Sequence, residues 1–251
     1  MGSDARLTEA ASASSPSAPE LLVGTSGFSF PEWKGTFYPA DLPAKGMLRY
    51  YAERLSTVEI NNTFYRMPKA GMLDSWAEQV PEGFRFTLKA PQRITHWKRL
   101  VEAEDDTAFF LETAATLGGR LGALLFQLPP NLKLDLARLE AFLPRLAAAP
   151  GPVAFEFRHE SWEDPAVHSA LAAAGCALCA SETDEAPATW APGASFGYLR
   201  LRRTDYDDAA LVAWAQRLRE QPWERAFVYF KHEDEGRGPA LAARFLEIWR
   251  R

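Results

Sequence analysis

Eight short apolar runs, each followed by turn residues and, with one exception, by helical spacing, constrain this chain more than any other feature. The runs are Leu21–Gly27, Thr57–Phe64, Phe84–Ala90, Leu121–Leu128, Pro152–Arg158, Cys176–Ser181, Phe196–Arg202 and Ala226–His232. Each has the length and residue types of a strand. After them, Gly46–Leu55, Ala70–Gln79, Glu104–Leu117, Asp135–Ala147, Asp164–Ala174, Asp207–Glu220 and Pro239–Arg250 place apolar residues three and four apart, which predicts helices with one buried face. The exception is Glu182–Ala194, with two prolines and no apolar period, so the sixth helix is predicted short or absent. Asp135 and Asp207 suit N-caps, Pro239 a first helical position, and Gly118–Gly119 and Gly175 helix stops.

Runs such as ALLFQL and VAFEF are apolar on both faces, which fits parallel strands covered by helices. An open doubly wound sheet would carry a phosphate signature after strand one. Gly24-Thr25-Ser26-Gly27 is not G-x-G-x-x-G, and no P-loop occurs. The expectation is one α/β domain, a TIM-type (β/α)8 barrel over residues 20–251, behind an Ala/Ser/Pro-rich tail at 1–19 that is predicted disordered.

With 47% hydrophobic residues the chain can bury a full core, and a formal net charge of −5 excludes an overall basic footprint for nucleic acid or anionic membrane. No run approaches the ~18 consecutive apolar residues of a spanning helix, and the tail has no apolar segment behind a basic start. A soluble, cytoplasmic protein is expected, with no membrane partner; the oligomeric state is not legible. Cys176 and Cys179 have C-x-x-C spacing, but residues three apart on a strand face opposite sides, so both read as core.

Six blocks lie in order along the chain: GTSGFSFPEWKGTFYP (Gly24–Pro39), VEINNTFYRMP (Val58–Pro68), ITHWKRL (Ile94–Leu100), LLFQLPP (Leu124–Pro130), FEFRHESW (Phe155–Trp162) and YFKHED (Tyr229–Asp234). Together they resemble the YecE-like family, the domain of unknown function numbered 72, from about Leu21 to Arg250. The resemblance implies a TIM-type barrel, in agreement with the strand count, and implies no reaction.

Barrel active sites form at the C-terminal strand ends, so the polar residues interrupting each run there are the site candidates. Alternation puts Glu59 on one face with Asn61, Glu156 with Arg158, Tyr198 with Arg200, and Tyr229 with Lys231. Lys89 interrupts the third run one residue before its end. Charged groups there need each other or a ligand, so an ion-pair network closing the barrel top competes with a binding site. Lys89, Arg93, Arg158, Arg200, Arg202 and Lys231 outnumber Glu59, Glu156 and Glu182, which favours a small anionic ligand. A phosphate is expected near Arg158, Arg200, Lys231 and the backbone of Gly236–Gly238, before the last helix. Trp97 and Trp162 are expected exposed at the mouth. The aromatic stretch Phe28–Lys45 reads as a satellite core, or as a stacking lid using Trp33 or Phe28.

The leading expectation is a hydrolase or transferase-like enzyme acting on a phosphate-bearing small molecule or nucleotide. Lys89, Arg158, Arg200 and Lys231 would clamp the anion, assisted by Asn61, Trp162, Tyr198 and Tyr229. Glu59 or Glu156 would be the base, and His96 or His232 the acid. One alternative is a non-enzymatic nucleic-acid or protein binding module using Arg93–Arg99, which the charge balance disfavours. A second is a glycosidase pairing Glu59 with Glu156. No cofactor is expected. A divalent metal on His96, His159 or His232 with Glu156 or Asp234 is the weaker reading, because no local ligand spacing supports it.

Overall fold

Strands apolar on both faces must pair along both edges and be covered on both sides, and here the sheet does so by closing on itself. A computed structural model describes residues 18–232 and 234–251. Eight parallel strands pair in sequence order and β8 returns to β1: β1 (Glu20–Ser26), β2 (Thr57–Ile60), β3 (Arg85–Lys89), β4 (Leu121–Gln127), β5 (Val153–Glu156), β6 (Ala177–Glu182), β7 (Phe196–Leu201) and β8 (Arg225–Phe230). Helices α1 (Met47–Ala52), α3 (Ala70–Ala77), α4 (Glu104–Ala115), α5 (Leu136–Phe142), α6 (Pro165–Ala173), α7 (Asp208–Arg219) and α8 (Arg237–Trp249) surround it, while α2 (Asn62–Tyr65) is a short turn after β2. No helix joins β6 to β7, as the prolines predict. Among the described residues no helix is long and apolar enough to cross a membrane.

Two cores result. Leu22, Ala123, Leu125, Ala154, Cys179, Tyr198, Phe227 and Tyr229 belong to a cluster filling the barrel, and a larger cluster lies between strands and helices. Cys179 joins the inner cluster and Cys176 the outer, so the two free thiols diverge. Gly24 lets β1 and β2 approach, since a Cβ there would fall 1.8 Å from the Thr57 carbonyl oxygen.

The local signals are realised with four shifts. Asp135 and Asp207 cap α5 and α7, accepting from the Arg138 and Ala210 amides at 3.0 and 2.8 Å. The second strand stops at Ile60 rather than Phe64, because the Thr63 hydroxyl donates to the Ile60 and Lys89 carbonyls and turns the chain toward β3. The fifth helix tightens into a 3-10 turn at Leu143–Leu146, where Pro144 cannot supply the next helical bond. The last helix starts at Arg237, ahead of Pro239, after Gly236 at φ 74°. Finally, the expected tail falls mostly on residues 1–17, outside the described residues, while Pro19 is buried and Glu20 already opens β1.

Candidate functional site

The inward face of each strand ends in polar side chains at the C-terminal mouth. There the sheet register sets Ser26 beside Glu59, Gln127 beside Glu156, and Ser181 beside Arg200. Glu59 and Glu156 are both 0% exposed and Arg200 is 3% exposed, so none of these charges is solvated. They solvate one another. Arg200 Nη2 donates to Glu59 Oε1 at 2.8 Å and Nη1 donates to Glu156 Oε2 at 2.7 Å. Tyr198 donates its hydroxyl to Glu59 Oε2 at 2.6 Å, and the Ser26 hydroxyl donates to Glu59 Oε1. Ser26 Oγ in turn accepts from Asn61 Nδ2 at 3.0 Å and Arg200 Nη2 at 3.1 Å. Arg158 Nε lies 2.7 Å from Glu156 Oε1, an ion-pair distance off the N–H direction.

Isolated, each buried charge would cost several kcal/mol; together they hold. Burial acts to raise the Glu156 pKa, but Arg200 and then Arg158 override it and keep the carboxyl below its ordinary value. Burial likewise opposes the Arg200 charge, and Glu156 and Glu59 hold it protonated.

Above this network lies a cavity of about 740 Å³. Ser26 ends β1 and Phe28, Ser29 and Phe30 follow it, Asn61, Asn62 and Tyr65 follow β2, and Trp76 reaches in from α3. Four cationic side chains line it, Lys89, Arg158, Arg200 and Lys231, together with Gln127, and no acidic one does so among the described residues. Lys89 is 8% exposed, with its ammonium 4.1 Å from the centre of the Phe64 ring. Burial first, then Arg200, push its pKa down to about 8.

The twelve sequence candidates separate by depth. Asn61, Lys89, Arg158, Arg200 and Lys231 border the cavity. Glu59, Glu156 and Tyr198 lie beneath it in the ion-pair network. Tyr229 is deeper, fully buried and hydrogen-bonded to Thr57 and Thr87 at 2.9 and 2.6 Å. Trp162, expected at the mouth, is 2% exposed: its indole donates to the Leu132 carbonyl at 2.7 Å and it stacks on Phe157 at 4.4 Å. Trp97 is exposed, as expected.

Neither histidine proposed as the acid borders the cavity. His96 packs edge-on against Phe64, and burial, then Lys89, push its pKa down to about 4, leaving it neutral near pH 7. His232 donates from Nε2 to the Arg203 carbonyl at 2.6 Å and faces Tyr206 and Phe230, outside the strands. Gly236 and Gly238 do not border the cavity either; they pack against Thr36 and the His232 carbonyl, so the last helix does not present its N-terminus to the mouth. No group of three or more His, Cys, Asp or Glu able to hold a metal comes together among the described residues.

The aromatic stretch divides between core and cavity. Trp33 and Tyr38 are buried in the larger outer cluster and form no separate core, while Phe28 and Phe30 form a cavity wall. Phe30, Tyr65 and Trp76 were not candidates from sequence; the FSF and NNTFY segments after β1 and β2 were the available signal. In the Arg93–Arg99 segment, whose residues Arg93–Trp97 form a π-helical turn, Arg93 and Lys98 both pair with Asp106, at 2.8 and 2.9 Å, which reduces its free positive charge.

A family model described as protein of unknown function DUF72 matches residues 22–251. The chain is 31% identical to UPF0759 protein YecE of Escherichia coli (strain K12) over 127 residues, 50% of this chain and 44% of YecE. It is 28% identical to UPF0759 protein YunF of Bacillus subtilis (strain 168) over 154 residues, 58% of this chain and 53% of YunF. The chain thus spans about half the length of the curated relatives it matches. A solved DUF72 family protein from Thermotoga maritima MSB8 superposes with a TM-score of 0.79 at 25% identity, covering 92% of this chain and 100% of that one.

Proposed function

The chain belongs to the DUF72 family, proteins of unknown function, and from that premise we propose that it is an enzyme acting on an anionic, phosphate-bearing small molecule held in the barrel-mouth cavity. The observation that carries this reading is the sorting of charge by depth. Glu59 and Glu156 are withdrawn into the network, while Lys89, Arg158, Arg200 and Lys231 line the cavity. An oxyanion there would accept charge-assisted hydrogen bonds from guanidinium groups whose positions are already set by buried partners, so little ordering is needed on binding. Phe28, Phe30 and Tyr65 supply apolar wall for the rest of the ligand.

Lys89, with a pKa of about 8, is the cavity group suited to exchanging a proton near neutrality. Glu59 and Glu156 serve as supports for Arg200 in this reading. A glycosidase would need two carboxylates flanking a sugar, and neither borders the cavity.

Titration calorimetry with inorganic phosphate, ribose 5-phosphate and uncharged ribose tests the reading, followed by phosphorus NMR of a panel of phosphate esters. Both anions should bind and ribose should not, and at least one ester should be converted by the wild type but not by Lys89→Met. Absence of binding by either anion at millimolar concentration would overturn it.

A further inference from the structure

Lys89 is the cavity cation whose chemistry is least accounted for by the network below it. Among the described residues no carboxylate forms an ion pair with it, and its ammonium rests on the Phe64 ring. The charges acting on it are those of Arg200 and Arg158 and those of Glu59 and Glu156, whose oxygens are engaged by Arg200, Tyr198, Ser26 and Arg158. His96, on the following turn, is neutral near pH 7. A lysine withdrawn from water beside other cations is the usual setting of an amine that forms Schiff bases.

Resting on the reading above, we propose that Lys89 is a covalent nucleophile toward the carbonyl carbon of an anionic aldehyde or ketone. The nitrogen lone pair attacks the carbonyl carbon and a C–N bond forms. The carbonyl oxygen then leaves as water, carrying both protons of the free amine, and the imine nitrogen takes up one proton from solvent, so a protonated imine remains. That imine keeps one positive charge, which stays over the Phe64 ring where the ammonium lay. Arg158 and Arg200 would hold the anionic end of the same molecule. With the pKa at about 8, Lys89 at pH 7 carries about three hundredfold more free amine than a lysine at its ordinary value.

Borohydride trapping on the intact wild-type chain tests this. Dihydroxyacetone phosphate is the probe and uncharged dihydroxyacetone the control, with peptide mapping by mass spectrometry. The expected result is a mass gain equal to the probe less one oxygen atom, on Lys89 and at least about tenfold above every other lysine. The phosphate-free control should label Lys89 far less, and labelling should increase as pH rises from 6.5 to 8.5. Labelling spread evenly over the lysines, or none at Lys89 while phosphate still binds in calorimetry, would overturn the covalent role and leave the binding reading standing. Absence of both label and phosphate binding would overturn the two together.

Discussion

Arg200 and Glu59 meet at 2.8 Å from strands three places apart around the barrel, with Glu59 fully buried and Arg200 only 3% exposed, where it borders the cavity. Because Arg200 also holds Glu156 at 2.7 Å, one guanidinium pairs with two buried carboxylates, and Arg158 supplies the second positive charge. Arg200→Met should therefore destabilise the protein by about 3–5 kcal/mol, since it removes the cation paired with buried Glu59 and leaves Glu156 with Arg158 alone. Urea unfolding measures this, and adding Glu59→Gln and Glu156→Gln to the variant should recover part of the loss. A variant as stable as the parent would show that the network is not what holds the mouth.

Arg158→Met separates from it. The Arg158 side chain is 26% exposed, and Glu156 keeps Arg200 when it is removed. A loss of about 1 kcal/mol is expected, together with at least about tenfold weaker sulfate binding in calorimetry. A loss as large as that of Arg200→Met, with sulfate affinity unchanged, would assign Arg158 to the scaffold instead.

Sulfate keeps its charge across the neutral range, so the pH dependence of its binding reports the protein. Lys89, its pKa pushed down to about 8 by burial and then by Arg200, is protonated below that pH and neutral above it. Sulfate affinity should be level below pH 7 and fall as pH rises through about 8, by up to about tenfold, or ~1.4 kcal/mol. In Lys89→Met the profile should be flat between pH 7 and 9.

Trp162→Phe tests the buried indole. It removes the donor to the Leu132 carbonyl and should cost about 1–2 kcal/mol in thermal or urea unfolding. Sulfate affinity should not change, because Trp162 does not border the cavity. Weakened anion binding at unchanged stability would return it to the site.

The sequence alone determined the number and order of the strands, the missing helix between β6 and β7 and the inward phase at the mouth. Alternation on Phe196–Leu201, with polar Arg200 interrupting an apolar run, correctly turns Tyr198 and Arg200 to one face, as it does Glu156 and Arg158 beside them. Phase gives a side but not a depth. Tyr198 lies in the filled core while Arg200, two residues further along the same strand, borders the cavity; the level at which core gives way to cavity depends on how the strands are staggered around the closed sheet. Only the tertiary structure decided that Glu59 and Glu156 would spend their charge on Arg200, that Trp162 would turn into the core, and that Gly236 would pack on Thr36. Each of these is a contact between segments far apart in the chain, and local spacing carries no information about which distant partner satisfies a buried charge or covers an aromatic ring.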